Sequence, residues 1–374
     1  MTQLEILNQA FQTLVDPRRT SHGHILHHLS TIVMIAFLAI LCGTTSYVGM
    51  QTFAICRKEW LGKFLNIDNG IPDSDTIRRC LERLDPLNLA KCLYTWLGVF
   101  GLDVNMIHLD GKTIKGSGNY LTKATHVLSA FSSDFGVTLA EMTVPDKDNE
   151  ITAAKQMLKE LNVEGRTVTG DAMFCQRELC SVVVSKGGHY CFAVKGNQPT
   201  LLENVSLTLE KGDNIQTDTA YEKGHGRIEC REYKFTTSID GIDPENQWSG
   251  LKGVASVTRT VEEKGKVRVE TRFYIVSFDD FELVKQSIRD HWSIENGLHW
   301  SLDTIFDEDA CTVKKDFAPQ NLNVLRKTSL TLINKSQAGI NSKLSRNVIR
   351  QVCQSNCRVI EALTNGTSLI EFIS

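Results

Sequence analysis

No stretch of this chain is apolar for long enough to cross a membrane as a helix. The longest such run, residues 32–42, has 11 residues, about half of the ~20 that a bilayer demands, and is expected to be a buried helix. The opening residues Met1-Thr2-Gln3-Leu4-Glu5 lack the basic stretch of a secretory signal, so a cytoplasmic location without membrane contact is expected. Cysteine is present but unorganised. The 11 residues form no Cys-x-x-Cys pair, and the nearest approach, Cys353 and Cys357, has no His or Cys at zinc-finger spacing, which points to reduced, buried thiols. His22, His24, His27 and His28 crowd one segment with no cysteine or carboxylate close by, a poor zinc site. A Gly-x-x-x-x-Gly-Lys-Ser/Thr loop is absent, which argues against an NTPase motor. Gly-x-Ser-x-Gly is absent too, which argues against a serine hydrolase. With 7 prolines, 41% hydrophobic and 23% charged residues, the composition is that of a folded globular chain. Its 374 residues are enough for two or three structural units.

The net charge of -3 conceals a segregation. Residues 1–100 carry 9 Lys and Arg against 8 Asp and Glu, residues 311–374 carry 9 against 3, and 101–310 is left with 23 against 33. A basic C-terminal region suits phosphate contact and an acidic middle suits cations, because hard metal ions are held by carboxylates. On charge alone, a solvated helical face explains the basic region equally well.

Residues 1–100 read as a helical N-terminal domain. Leu4, Ile6, Leu7, Phe11 and Leu14 recur at helical spacing until Asp16-Pro17. Pro72-Asp73-Ser74-Asp75 caps a further helix bearing Ile77, Cys80, Leu81 and Leu84. Its Arg78, Arg79 and Arg83 suit DNA contact, although three arginines on a helix are often simply solvated. From 101 to 310 the texture alternates between strand and helix. Strands are expected at 104–109, 126–131 and 137–144, then a helix opened by Asn149-Glu150, a strand at 167–169, a helix at 176–185 and a strand at 190–194. Three strands, then helix, strand, helix, strand, is the order of the α/β ribonuclease-H-like fold, a mixed sheet with flanking helices. Residues 215–278 return to strand-like patterning at 231–236, 253–260 and 267–275, a β-rich insertion. A long helix is expected over about 281–305, and the basic helical C-terminal region 311–374 comes next, with a break at Pro319.

Asp110 and Asp171 end the first and fourth expected strands. Those strands are neighbours in this topology, so the two carboxylates meet at one sheet edge. Two Mg²⁺ ions about 4 Å apart require such an arrangement, one to activate the attacking oxygen and the other to stabilise the leaving oxygen. Glu295, on the helix after the insertion, is the expected third carboxylate. Alone, each has an ordinary explanation as a turn, a cap or a helix surface residue. The ordered set is what singles them out. Around Glu295, Arg289, His291, Trp292, Asn296, His299 and Trp300 fall within a few turns. The histidines suit phosphate orientation better than ligation, since hard Mg²⁺ prefers oxygen, and at least one tryptophan is expected in the core.

Long segments of the chain resemble the H-repeat-associated transposases. They are Leu109-Asp110-Gly111-Lys112-Thr113-Ile114-Lys115-Gly116-Ser117, Asn149-Glu150-Ile151-Thr152-Ala153, Thr169-Gly170-Asp171-Ala172-Met173, and Ala193-Val194-Lys195-Gly196-Asn197-Gln198. The stretch from His291-Trp292-Ser293-Ile294-Glu295-Asn296 through Leu298-His299-Trp300-Ser301-Leu302-Asp303 to Glu308-Asp309 belongs with them, as does Asn69-Gly70-Ile71-Pro72. The resemblance implies a DDE transposase with Asp110, Asp171 and Glu295 as catalytic and metal-binding residues and two Mg²⁺ or Mn²⁺ ions per site. It also implies double-stranded DNA at element ends and target DNA as partners, and a homodimer holding two ends. In the wider superfamily a Tyr, an Arg and a Lys surround the glutamate, where this chain has Ile288, His291 and Leu302. Arg289, His291 and His299 are the expected replacements in phosphate handling, with Lys112, Lys195, Gln198 and Arg227 as further expected DNA contacts. A non-catalytic DNA-binding regulator derived from a transposase, or a ribonuclease-H-like nuclease without strand transfer, are the other readings, and the intact carboxylates weigh against the first.

Overall fold

The computed structural model describes residues 1–18, 25–98, 104–118, 123–134, 136–144, 149–224, 227–263, 265–292, 294–339 and 344–367. His22 and His24 lie outside them. In chain order the numbered elements begin with α1 (Gln3–Gln12), α2 (Leu29–Leu41), α3 (Tyr47–Cys56), α4 (Lys58–Leu61), α5 (Ser74–Arg83) and α6 (Pro86–Gly98). Next come β1 (Met106–Ile114), β2 (Thr125–Ser132), β3 (Val137–Val144), α7 (Glu150–Glu160), β4 (Thr167–Gly170), α8 (Arg177–Ser185), β5 (His189–Val194) and α9 (Pro199–Lys211). After these stand the four strands β6 (Gln216–Gly224), β7 (Arg227–Thr236), β8 (Gly253–Glu263) and β9 (Lys266–Val276), then α10 (Phe281–His291), α11 (Trp300–Ile305), α12 (Ala318–Gly339), α13 (Arg346–Ser355) and α14 (Cys357–Asn365). Two compact units emerge. One comprises Met1–Asp103, Gly111–Lys147 and Glu295–Ser374, the other Val104–Asp110 and Asp148–Ile294.

The first unit is built on buried helices. α1 opens with a reciprocal cap, in which Thr2 Oγ1 accepts from the Glu5 N–H and Glu5 accepts from the Thr2 N–H, satisfying two donors that a helix start leaves open. Helix α2, apolar from Ile32 onward, is buried along its whole length. Asp73 caps α5 by accepting from Thr76 N–H at 2.6 Å. Arg78 on α5 binds Asp75 and Glu82. Helix α12 packs on α2, α5, α6 and β3. Pro319 lies in its first turn, where a missing N–H removes no helical bond, so the break precedes this proline. The β2–β3 hairpin and the last residues of β1 complete the unit.

The second unit is a twisted sheet with helices. Its share of β1 pairs in parallel with β4, which pairs in parallel with β5. β9 then joins antiparallel to β5, and β8, β7 and β6 continue antiparallel. The insertion therefore extends the central sheet. A core of Tyr233, Phe235, Ala255, Val257, Tyr274, Val276, Val284 and Ile288 closes between these strands and α10. Through β1 the strand order reads β3-β2-β1-β4-β5-β9-β8-β7-β6, and its first five members have the ribonuclease-H-like order. The fold is a mixed α/β architecture of that class.

Three expectations about elements change. β1 runs past Asp110 to Ile114; its parallel pairing with β4 stops at Leu109, opposite Gly170, but its later residues remain in the sheet of the first unit. The helix expected over 281–305 is three pieces, α10, a π-helical segment Ile294–His299 and α11, with Gly297, a poor helix former, inside the π segment. β6 and α9 are additional; Gln216–Gly224 is largely polar and shows no apolar alternation, whereas α9 buries Leu201, Val205 and Leu209 at helical spacing.

Candidate active site

Within the second unit, the parallel ladder of β1 and β4 ends just before the two aspartates. Leu109 pairs with Gly170 across parallel β1 and β4, and the next residue on each strand is an aspartate. Asp171 is followed by a 3-10 turn, Ala172–Phe174, whose Phe174 N–H donates to the Asp171 carbonyl at 2.8 Å. That turn explains Gly170, since a Cβ there would lie 3.0 Å from Phe174. The Asp171 side chain is 48% exposed, open enough to meet a hydrated ion. Asp110 is half-buried.

Behind Asp171 runs a line of hydrogen-bonding groups. His108 is fully buried, with Nδ1 2.7 Å from Thr169 Oγ1. That hydroxyl is also 2.8 Å from His291 Nδ1, and His291 Nε2 stands 4.0 Å from Asp171 Oδ1. The last separation permits charge interaction but no hydrogen bond. Burial, with His291 adding to it, pushes the His108 imidazole down to about 3. Burial likewise pushes His291 down to about 4, against an upward pull from Asp171 and with Arg272 and Lys195 reinforcing the fall. Both rings are thus neutral at neutral pH, and the negative charge of the aspartates is not cancelled by an imidazolium beside them.

Loops after β4 and β5 are tied together. Asn197 Nδ2 donates to the Ala172 carbonyl at 2.8 Å, and Gln198 Nε2 donates to the Cys175 carbonyl at 3.2 Å. The Gly196-Asn197-Gln198 motif therefore braces the turn that comes after Asp171. Lys195, just before it, is exposed. Trp292 carries two guanidinium groups, that of Arg272 at 4.1 Å and that of Arg259 at 5.5 Å from its ring centroid. Arg259 is committed to Glu229 through two hydrogen bonds of 2.8 and 2.7 Å. Arg289 is half exposed and paired with Glu222. Arg227 opens β7, and its side chain lies outside the described residues.

The remaining expected residues belong to the first unit. Lys112 donates to Asp303 at 2.7 Å and to Glu308 at 2.8 Å, and Glu308 has no exposure. Burial lowers the Lys112 pKa, but Glu308 and Asp303 outweigh it and hold the ammonium above its usual range. His299, part of the π segment, is pushed down to about 3 by burial, with Lys112 and Lys327 contributing. Glu295 lies in the same segment, and its side chain is outside the described residues. Arg272, Thr169 and His108 carry parts of this environment that sequence patterns did not single out. The signal is position on the strands, since His108 and Thr169 each sit two residues before an aspartate and Arg272 precedes Phe273, the partner of Val194.

Two aspartates on adjacent strands, with neutral imidazoles nearby, are a donor set that suits a hard divalent cation. Among the described residues no group of three or more His, Cys, Asp or Glu side chains forms a metal-holding cluster. All eleven cysteines are free. Among the described residues no helix is long and apolar enough to cross a membrane.

The family model described as "Transposase DDE domain" matches residues 73–332, and one described as "DDE_Tnp_1-associated" matches 8–97. The chain is 32% identical over 385 aligned residues to "Putative transposase YncI" of Escherichia coli O157:H7, covering 96% of each chain. It is 30% identical to "H repeat-associated putative transposase YhhI" of Escherichia coli (strain K12), covering 92% of this chain and 95% of that one. A solved structure of the piggyBac transposase synaptic complex with hairpin DNA aligns with 97% of this chain and 81% of its own at 12% identity, with a TM-score of 0.47.

Proposed function

Because this chain belongs to the DDE transposase family, we propose that it cuts and joins double-stranded DNA at insertion-sequence ends, with Asp110, Asp171 and Glu295 as its catalytic carboxylates. The observation that supports this reading is the register of parallel β1 on β4, whose last pair, Leu109 with Gly170, immediately precedes Asp110 and Asp171. Asp110 and Asp171, joined by Glu295 from the family resemblance, would hold two Mg²⁺ or Mn²⁺ ions. When bound, such ions activate an attacking hydroxyl and neutralise the charge on the leaving oxygen. The chain's own contribution is positional. Gly170 and the Ala172–Phe174 turn fix where Asp171 emerges, Asn197 and Gln198 hold that turn, and Thr169 links His108 to His291 beside it. Lys195, Arg289, His291 and His299 remain proposed DNA contacts, as do Lys112, Gln198 and Arg227. A homodimer engaging two element ends and then target DNA is part of the same proposal.

The test uses the purified chain, DNA flanking its own gene, and Mg²⁺ or Mn²⁺. Asp110→Ala, Asp171→Ala and Glu295→Ala should each abolish ion-dependent nicking while circular dichroism and thermal unfolding remain those of a folded protein. Normal nicking by any one variant removes that residue from the set. Binding without cleavage by the unmodified chain would favour a regulator, and cleavage without end joining would favour a nuclease.

A further inference from the structure

The chain lacks the Arg and Lys that surround the catalytic glutamate in the wider superfamily, yet a phosphodiester under attack still presents anionic oxygens that need donors. Several cations expected near them are occupied. Arg289 is paired with Glu222, and Lys112 lies between two carboxylates. Arg259 has two hydrogen bonds to a buried glutamate.

Arg272 differs. Its Nε donates to Glu270 Oε1 at 2.8 Å, and among the described residues Glu270 is its ion-pair partner, so the terminal nitrogens are not committed to that pair. The guanidinium lies 4.1 Å over the Trp292 ring, a stacking contact that orients a planar group without using its donors. Its place is set by the sheet. Val194 pairs with Phe273 in the last pair of antiparallel β5 and β9, and Lys195 and Arg272 are the residues just beyond it. Gly170 pairs with Phe192 in the last pair of parallel β4 and β5, and Asp171 is the residue after it. Just past the last paired residues of β1 on β4, of β4 on β5 and of β5 on β9 stand Asp110, Asp171 and Lys195, with Arg272 next to Phe273. Asp171 also lies within electrostatic reach of Arg272.

We propose that Arg272, stacked on Trp292 at the end of the β5–β9 ladder, donates its terminal nitrogens to the non-bridging oxygens of the DNA phosphodiester on which Asp110 and Asp171 act. This rests on the catalytic reading above. A strand of the β-rich insertion thereby supplies the planar fork that the helix signature lacks. A guanidinium suits the task because two parallel N–H groups match two phosphate oxygens.

The experiment compares the full-length unmodified chain, Arg272→Gln and Arg272→Lys on duplex DNA flanking the gene. Nicking is measured with Mn²⁺, and equilibrium binding across a salt series. Arg272→Gln should nick roughly 100-fold more slowly, the order of effect for one lost transition-state donor, and the log–log salt slope of binding should fall in magnitude by about 0.9, the value for one phosphate contact. Arg272→Lys should restore the slope, because the charge returns, but not the full rate, because the fork does not. Because Arg272→Lys retains the cation over Trp292, it serves as the folding control if Arg272→Gln melts early. An unchanged slope in Arg272→Gln, or Arg272→Lys nicking at the unmodified rate, overturns the proposal. If the unmodified chain binds but never nicks, the catalytic reading fails and the slope alone decides whether Arg272 meets a phosphate. If it does not bind DNA, both readings fall.

Discussion

Lys327 carries its ammonium to a place water does not reach. Its side chain is 2% exposed, that of Glu141 is 5% exposed, and the two are 2.5 Å apart, with Ser129 Oγ accepting a second hydrogen bond from the ammonium at 2.8 Å. Burial raises the Glu141 carboxyl above its usual 4.5, although Lys327 pulls it down. A raised carboxyl pKa means the folded protein holds a proton that the unfolded chain has released, so this group's contribution to stability is lost as pH rises from about 4.5 through the folded value. Removing Lys327 removes the one lowering influence and widens that window upward. Lys327→Met should therefore cost roughly 3–5 kcal/mol near pH 8, the scale for a buried charge left unpaired, and far less near pH 4.5, where Glu141 is protonated. Urea unfolding at the two pH values measures it, and an equal loss at both would refute the account. Pairing the change with Glu141→Gln should recover most of the loss. Asp110, Asp171 and Glu295, the proposed carboxylates, are singled out in the sequence because each stands in a long family motif at a fixed place in the expected strand and helix order. Lys327 and Arg272 are not, because their roles arise only across strand pairs and helix faces separated by many residues.

Elements with one strong signal were readable and mixed ones were not. β2 and β5 are short, largely apolar segments and α2 is apolar from Ile32 to Leu41, so their type follows from the length of the apolar run. β6 is held by ladder bonds to β7 with little apolar content, and no pattern in its own residues requires a strand. The extent of β1 was hidden for a related reason, because Asp110-Gly111 has the composition of a turn. The short element after β1 is tightly specified by its surroundings. In this 3-10 turn, Lys115–Ser117, a Cβ added to Gly116 would lie 1.9 Å from the Cys311 carbonyl oxygen and 3.3 Å from that of Asp309. Lys115 also reaches Asp309 at 2.7 Å. Backbone meets backbone there, and no side chain can yield. Gly116→Ala should lower stability by about 3 kcal/mol, the upper range for overpacking, as a drop in denaturant midpoint at unchanged slope. Lys115→Ala, which removes only an exposed ion pair, should leave the denaturant midpoint nearly unchanged. A Gly116→Ala variant as stable as the parent would mean that the turn can leave the loop at little cost.

Across the whole chain, charge counted along the sequence differs from charge available to a ligand. The basic C-terminal region holds Arg326, Lys327 and Arg350 in buried positions. Arg350 donates to the Ile305 and Ile40 carbonyls, and Arg346 donates to Asn334 and Ser301. Much of the segment's charge is therefore engaged within the first unit, and the second unit carries the exposed Lys195 and the stacked Arg272. The opposite sign stands at Asp110 and Asp171, the residues just past the last pair of β1 on β4, which are the proposed metal ligands. An ion that binds only the folded arrangement must raise its stability by mass action, by about 2.7 kcal/mol when free ion is roughly 100 times its dissociation constant. Mn²⁺ should accordingly raise the melting temperature of the unmodified protein, with no DNA and no turnover involved, and Asp171→Asn should remove most of that rise. A shift from Mn²⁺ that is identical in both proteins would place the ion elsewhere and detach the two aspartates from metal binding, whatever the nicking assay shows.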